Sequence, residues 1–209
     1  FLPPVPLPRR MWAGGRLRFQ GELRIGETLT RRSTIREVTA KEGRSGLLCF
    51  VKVEHVLQAG DRRVLIEDQD IVYRAAEDRE EPPPGSSPLP PPPAPAGQHR
   101  RVVTPSPALL FRYSALTFNG HRIHYDLPYA RNVEGYPGLV VHGPLQATLV
   151  AHFAEAILGR PPSEFSFRSL SPLFDDADVT LNATENEAGV RLWTSRPNGP
   201  VAMEAQARW

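Results

Sequence analysis

Cysteine is almost missing from this chain. Cys49 is the only one in 209 residues, so no internal disulfide can form and no zinc ribbon or Cys-rich scaffold can be assembled. A reducing, cytoplasmic setting follows as the expectation, with Cys49 itself read as buried packing. Lysine is nearly as scarce: of 25 basic residues only Lys41 and Lys52 are not arginine. No run approaches the roughly 18 apolar residues of a membrane-spanning helix. No G-X-Y period accompanies the 23 prolines and 16 glycines, which excludes collagen. No dense basic cluster exists either. Residues 1–101 carry 17 basic and 13 acidic groups and residues 102–209 carry 8 and 10, a balance that argues against nucleic acid as a partner. The chain starts at Phe1-Leu2-Pro3-Pro4, without a methionine and without the apolar core of a signal peptide. It is expected to be a fragment or a processed form.

What is abundant is proline, and nine of the 23 fall between positions 82 and 95. Proline has no amide donor and a fixed φ, so this stretch joins neither helix nor ladder and reads as an extended tether. A ligand for an SH3-type domain is the alternative reading. The tether divides the chain into residues 1–81, a linker over 82–101, and residues 102–209. Before it, period-two alternation around Phe19, Leu23 and Ile25, and at Cys49, Val51, Val53 and His55, predicts strands over 16–20, 28–39, 47–57 and 63–73. Gly26-Glu27, Gly43 to Gly46 and Gly60-Asp61 supply the turns. A sheet with one apolar face must pack on something, and this half offers no long helix of its own.

After the tether, residues 107–117 predict a short helix or strand. Residues 143–158 predict the clearest helix of the chain, with Pro144 near its start and Gly159 just past its end. Leu145, Leu149, Phe153 and Ile157 recur at four-residue steps, and the segment is apolar almost all round, so it is expected to be wrapped by sheet. Further strands are predicted over 165–170, 179–183, 190–194 and 201–209.

Between tether and helix lies a dense group of polar residues. Three of the six histidines, His121, His124 and His142, fall there with Asn119, Asp126 and Gly143. A neutral imidazole accepts a proton at pH 7, and a carboxamide donates and accepts at once. Together His124 and Asn119 suit the placing of one water for addition to a carbon–carbon double bond next to a carbonyl. The enolate charge then falls on the carbonyl oxygen, and the Gly143 N–H at the helix start is a donor already oriented toward it. Asp126 either orients His124 or caps the next turn. His142 either lines the site or packs against the loop.

The runs Asn119-Gly120-His121-Arg122-Ile123-His124-Tyr125-Asp126 and Gly138-Leu139-Val140-Val141-His142-Gly143-Pro144-Leu145 resemble the hydratase motif of MaoC-like hotdog enzymes. The resemblance is nearest to the type 2 hydroxyacyl-thioester dehydratases and the related mesaconyl-C4-CoA hydratases. It is strongest over residues 112–150. In most such hydratases an Asp-x-Asn-Pro-x-His pattern supplies an Asp/His dyad. Here Asn119 stands at the aspartate position, His121-Arg122 replaces the Asn-Pro pair, and His124 is the histidine. Acid–base work is thereby shifted onto His124 and Asn119 keeps a positioning role. The resemblance implies an α+β double hotdog, antiparallel sheets wrapped around a central helix, with residues 16–75 as a degenerate first hotdog and 102–209 as the catalytic one.

It also implies a hydro-lyase that adds water reversibly to an enoyl thioester, with acyl-CoA as the expected substrate and no metal or redox cofactor. The expected catalytic residues are His124, Asn119 and Gly143. Guanidinium groups suit phosphates and carboxylates, so Arg122, Arg131 and Arg168, with His142, are the expected substrate contacts. Arg122 stands out among them because it lies inside the motif. A homodimer is expected from the exposed sheet edges. The rival readings are a non-catalytic acyl-CoA-binding hotdog and a hotdog thioesterase. The first would not need Asn119 and His124 together, and the second lacks a carboxylate at the first motif position.

Overall fold

A computed structural model describes residues 1–43, 46–75 and 91–209. The chain divides into two compact units, Phe1–Pro91 and Pro92–Trp209. Among the described residues no helix is long and apolar enough to cross a membrane.

Four long strands build the first unit: β1 (Arg9–Phe19), β2 (Leu29–Gly43), β3 (Gly46–Ala59) and β4 (Arg62–Arg74). They pair antiparallel in the order β2-β3-β4-β1. The alternation read from the sequence is the cause of its core: Cys49, Val51 and Val53 on β3 are buried with Ile71 and Tyr73 on β4. Gly60, with φ +58°, opens the two-residue turn between β3 and β4, where a residue with a Cβ would be strained. β1 is longer than predicted because it runs back through Gly14-Gly15 to Arg9, with a register shift between Trp12 and Gly14. This unit contains no helix among its described residues. Leu2, Val5 and Leu7 pack against its core instead.

The second unit has five strands: β5 (His99–Val103), β6 (Glu164–Ser169), β7 (Val179–Asn186), β8 (Gly189–Ser195) and β9 (Val201–Arg208). Their order is β6-β9-β8-β7-β5, with every neighbour antiparallel. Three helices accompany them: α1 (Pro107–Thr117), α2 (Leu127–Asn132) and α3 (Gly143–Leu158). The open choice at residues 107–117 falls to helix, because Ser106 caps it, accepting the Leu109 N–H at 3.3 Å, and Pro107 suits its first turn.

α3 lies against β6 to β9, burying Leu145, Gln146, Ala147, Val150, Phe153 and Ala154. Leu181, Val190, Leu192 and Met203 are almost fully enclosed; each such side chain contributes about 1.5–3 kcal/mol by leaving water. The expectation of a helix buried on all sides needs correction. Thr148, His152, Glu155 and Ala156 are exposed and Leu149 and Ile157 only half-buried, so a one-sided layer packing, not enclosure, holds α3.

The tether also differs from the expectation. Residues 82–90 lie outside the described residues, but the end of the predicted linker belongs to the second unit. Residues 99–101 form part of β5. Ahead of them Pro95 accepts the indole N–H of Trp193 at 2.9 Å, and Gly97 N–H donates to Asn182 Oδ1 at 3.2 Å. Pairing with β7 and a buried tryptophan outweigh the proline bias of this stretch.

Candidate active site

The polar residues of the motif gather where α1, α2 and the start of α3 meet within the second unit. His124 ends a single 3-10 turn, Arg122–His124, and its orientation comes from the backbone. The ring Nδ1 lies 2.7 Å from the Val140 carbonyl oxygen. Since a carbonyl only accepts, Nδ1 carries the proton and Nε2 keeps its lone pair. Val140 is itself held, its N–H donating to the Ile123 carbonyl at 2.9 Å. On either side the Leu139 N–H donates to Asp175 Oδ1 at 2.7 Å and the Val141 N–H to the Leu173 carbonyl at 2.8 Å. Gly138 permits this clamp: a Cβ there would stand 2.5 Å from Asp175 Oδ1.

Asp126 is not the residue that orients His124. Its Oδ1 caps α2, accepting the Tyr129 N–H at 3.1 Å. Its Oδ2 receives Arg122 through Nε at 2.9 Å and Nη2 at 2.6 Å. These bonds hold its carboxyl below the usual carboxylate range. The Arg122 guanidinium also stacks over the Tyr129 ring at 4.2 Å. The prediction that Arg122 grips substrate is therefore modified: it already serves an intramolecular ion pair, although its side chain remains 56% exposed.

His142 stacks on His124 with ring centroids 3.7 Å apart and 17° between planes. It is wholly buried, and its Nε2 lies 2.9 Å from the hydroxyl of Ser114 on α1. The edge of Tyr113 meets the same ring at 5.0 Å. Burial holds the His124 imidazole down at about 4, from an ordinary 6.5; the Val140 carbonyl opposes this and His121 adds to it. His142 falls to about 3, again chiefly through burial, with His124 contributing. Both rings are neutral at pH 7.

His142 is the residue before Gly143, the first residue of α3, so the stacked pair adjoins the helix N-terminus. The Gly143 N–H has no acceptor within the helix, and no other described residue takes it. Two buried side-chain atoms of this region have no hydrogen-bond partner: His142 Nδ1 and Ser169 Oγ.

The remaining predicted residues are placed as follows. Asn119 is half-buried behind α1, where Phe118 closes the helix in the left-handed region at φ 53° and the Asn119 N–H reaches the Ser114 carbonyl at 2.9 Å. Its Oδ1 accepts the His121 N–H at 3.1 Å, a turn-forming bond that leaves the amide nitrogen to donate elsewhere. No side-chain hydrogen bond joins Asn119 to His124 among the described residues. Arg131 is exposed and donates through Nε to the Pro137 carbonyl at 3.1 Å. Arg168 is a correction. It neighbours Ser169 on β6, and successive strand residues point to opposite faces, so it turns away from Gly143 toward Arg191, Glu204 and Gln206. Ser114, Ser169 and the Val140 carbonyl were not singled out by sequence reasoning. Ser114 sits in the same polar run, but a lone serine on a helix carries no signal, and Ser169 comes from a strand 26 residues beyond Gly143.

An antiparallel sheet packed against one helix is the layout of a hotdog fold, and it places a neutral, oriented imidazole near that helix's N-terminus. The chain belongs to the hydroxyacyl-thioester dehydratase type 2 family, whose model matches residues 1–175, and it is a hydro-lyase. It is 49% identical over 206 residues to mesaconyl-C(4)-CoA hydratase of Chloroflexus aurantiacus, covering 98% of this chain and 72% of that protein. Among solved structures, HtdX of Mycobacterium tuberculosis superposes with a TM-score of 0.72 at 21% identity, covering 95% of this chain and 76% of that one. A second Mycobacterium tuberculosis protein with a double hotdog fold superposes at 0.54 and 18% identity, covering 97% of this chain and 76% of that one.

Proposed function

We propose that the chain hydrates an enoyl-CoA ester reversibly to a 3-hydroxyacyl-CoA, the acyl group being a short branched dicarboxylic one of the mesaconyl-C4 type. The observation that carries this reading is the tautomer of His124. With Nδ1–H spent on Val140, Nε2 is free to take a proton from water as the water oxygen bonds to the β-carbon. The electron pair of the double bond moves onto the thioester oxygen, where the Gly143 N–H and the helix dipole meet it. The imidazolium so formed sits in an environment that disfavours its charge, so it returns the proton to the α-carbon. Run backward, the same group acts as acid toward the leaving hydroxyl.

Asn119 donates from its amide nitrogen to the water or hydroxyl in this scheme. Arg131 and Arg122, both exposed, are offered to the coenzyme phosphates or to the distal carboxylate. His142 supports the wall against which His124 lies. A homodimer in the cytoplasm and a role in acyl-group metabolism complete the proposal; Cys49, buried and unpaired, is compatible with a reducing compartment.

The deciding experiment is loss of enoyl absorbance across a panel of enoyl-CoA esters, straight-chain and branched dicarboxylic. Hydration is expected, and His124→Ala is expected to remove nearly all turnover while remaining folded. A folded His124→Ala protein with near-native rates refutes the assignment. Release of free thiol instead of hydration would favour a thioesterase.

A further inference from the structure

Ser169 is the last residue of β6, on the face of the sheet that carries the buried Phe165 and Phe167. Its hydroxyl oxygen is shielded from solvent and hydrogen-bonded to nothing. Its position relative to α3 is defined by Gly143: a Cβ built on that glycine would lie 3.4 Å from Ser169 Oγ. The hydroxyl thus faces the first residue of the helix across the space that the missing side chain leaves open.

An unpaired buried hydroxyl costs about 1–3 kcal/mol, and native chains rarely carry one without a reason. Nothing within the described residues offsets that cost, which leaves the hydroxyl available to a ligand atom. Resting on the proposed reaction, the ligand atom that comes to Gly143 is the thioester carbonyl oxygen. That oxygen has two lone pairs and accepts two hydrogen bonds, and of the two residues that open α3 only Gly143 has an N–H to offer, because Pro144 has none.

We propose that the Ser169 hydroxyl is the second donor to this oxygen, completing with the Gly143 N–H a two-donor oxyanion site. The bond strengthens as the double-bond electrons move onto the oxygen, so it favours the transition state over the bound substrate. Glycine at position 143 then has two duties. It provides a free amide, and it leaves the hydroxyl room to approach the same oxygen.

The test is Ser169→Ala, assayed for kcat, KM and thermal midpoint alongside the wild type. Removing one oxyanion donor lowers kcat on the order of a hundredfold, and KM is expected to stay within about threefold because the bond matters most in the transition state. Since the hydroxyl is unpaired in the free chain, its removal is expected to leave the melting temperature unchanged or to raise it. Loss of rate without loss of stability is a result that a merely structural serine would not produce. A variant with wild-type kcat, or one whose rate and melting temperature fall together, overturns the proposal. If the wild-type chain hydrates none of the esters, the parent reading fails and the serine role with it. Wild-type turnover with an unimpaired Ser169→Ala variant removes the serine role alone.

Discussion

Acidification is the sharpest physical probe of the stacked histidine pair. Both imidazoles are neutral in the folded chain, with values of about 4 for His124 and about 3 for His142 against an ordinary 6.5. The folded chain therefore refuses protons that the unfolded chain accepts. Stability is full above the unfolded value and falls as the pH drops below it, levelling off only near the folded values. At pH 5 an unfolded imidazole is about 97% protonated, and keeping its folded counterpart neutral costs about 2 kcal/mol relative to pH 8. For the pair the loss is about 4 kcal/mol, a large part of a typical domain's stability. Urea unfolding followed by circular dichroism at pH 8, 7, 6 and 5 measures it. His142→Gln removes one titrating ring and still reaches Ser114, so the variant is expected to lose about 2 kcal/mol less than wild type over that range. Carboxyls whose values burial raises, such as Glu67 and Asp70, affect the two proteins equally and drop out of the difference. Equal acid losses in wild type and variant would show that His142 is not held neutral by the fold.

Two more outcomes follow from the same geometry. Because His124 stays unprotonated down to about pH 4, kcat/KM for hydration should remain level from pH 8 to pH 5.5; an acid limb centred near 6.5 would contradict a buried, neutral base. Asp126→Ala removes a helix cap and the Arg122 pair at once, so chemical denaturation should show a small loss of stability, most of it from the cap. The orientation of His124 depends on Val140, so the tautomer read from its nitrogen NMR shifts should not change in that variant.

Much of the fold is legible in local chemistry. Alternation at Cys49, Val51 and Val53 announces β3, and Pro144 with Gly159 brackets α3. The polar cluster was legible too, since three histidines within the 22 residues from 121 to 142, next to an asparagine and a helix-starting glycine, is an unusual density. Where local signals misled, a longer-range interaction won. β5 forms in spite of the proline-rich approach because β7 offers a ladder and Trp193 offers a buried indole N–H. The strand predicted from residue 16 begins at Arg9 instead, because β4 pairs along Gly14-Gly15 as well, with a register shift.

What the sequence by itself determined is the inventory: which elements form, which loop holds titratable groups, and which helix starts with a free amide. These depend on neighbours a few positions apart, where periodicity and capping act. Only the tertiary structure decided what each group does. The Val140 carbonyl sets the proton on His124, the ring of His142 covers it, Asp126 turns to Arg122 and α2, and Ser169 comes from a distant strand to face Gly143. Hydrogen bonding and burial at the site are set by groups far apart in the chain, and no local pattern encodes which of them will meet.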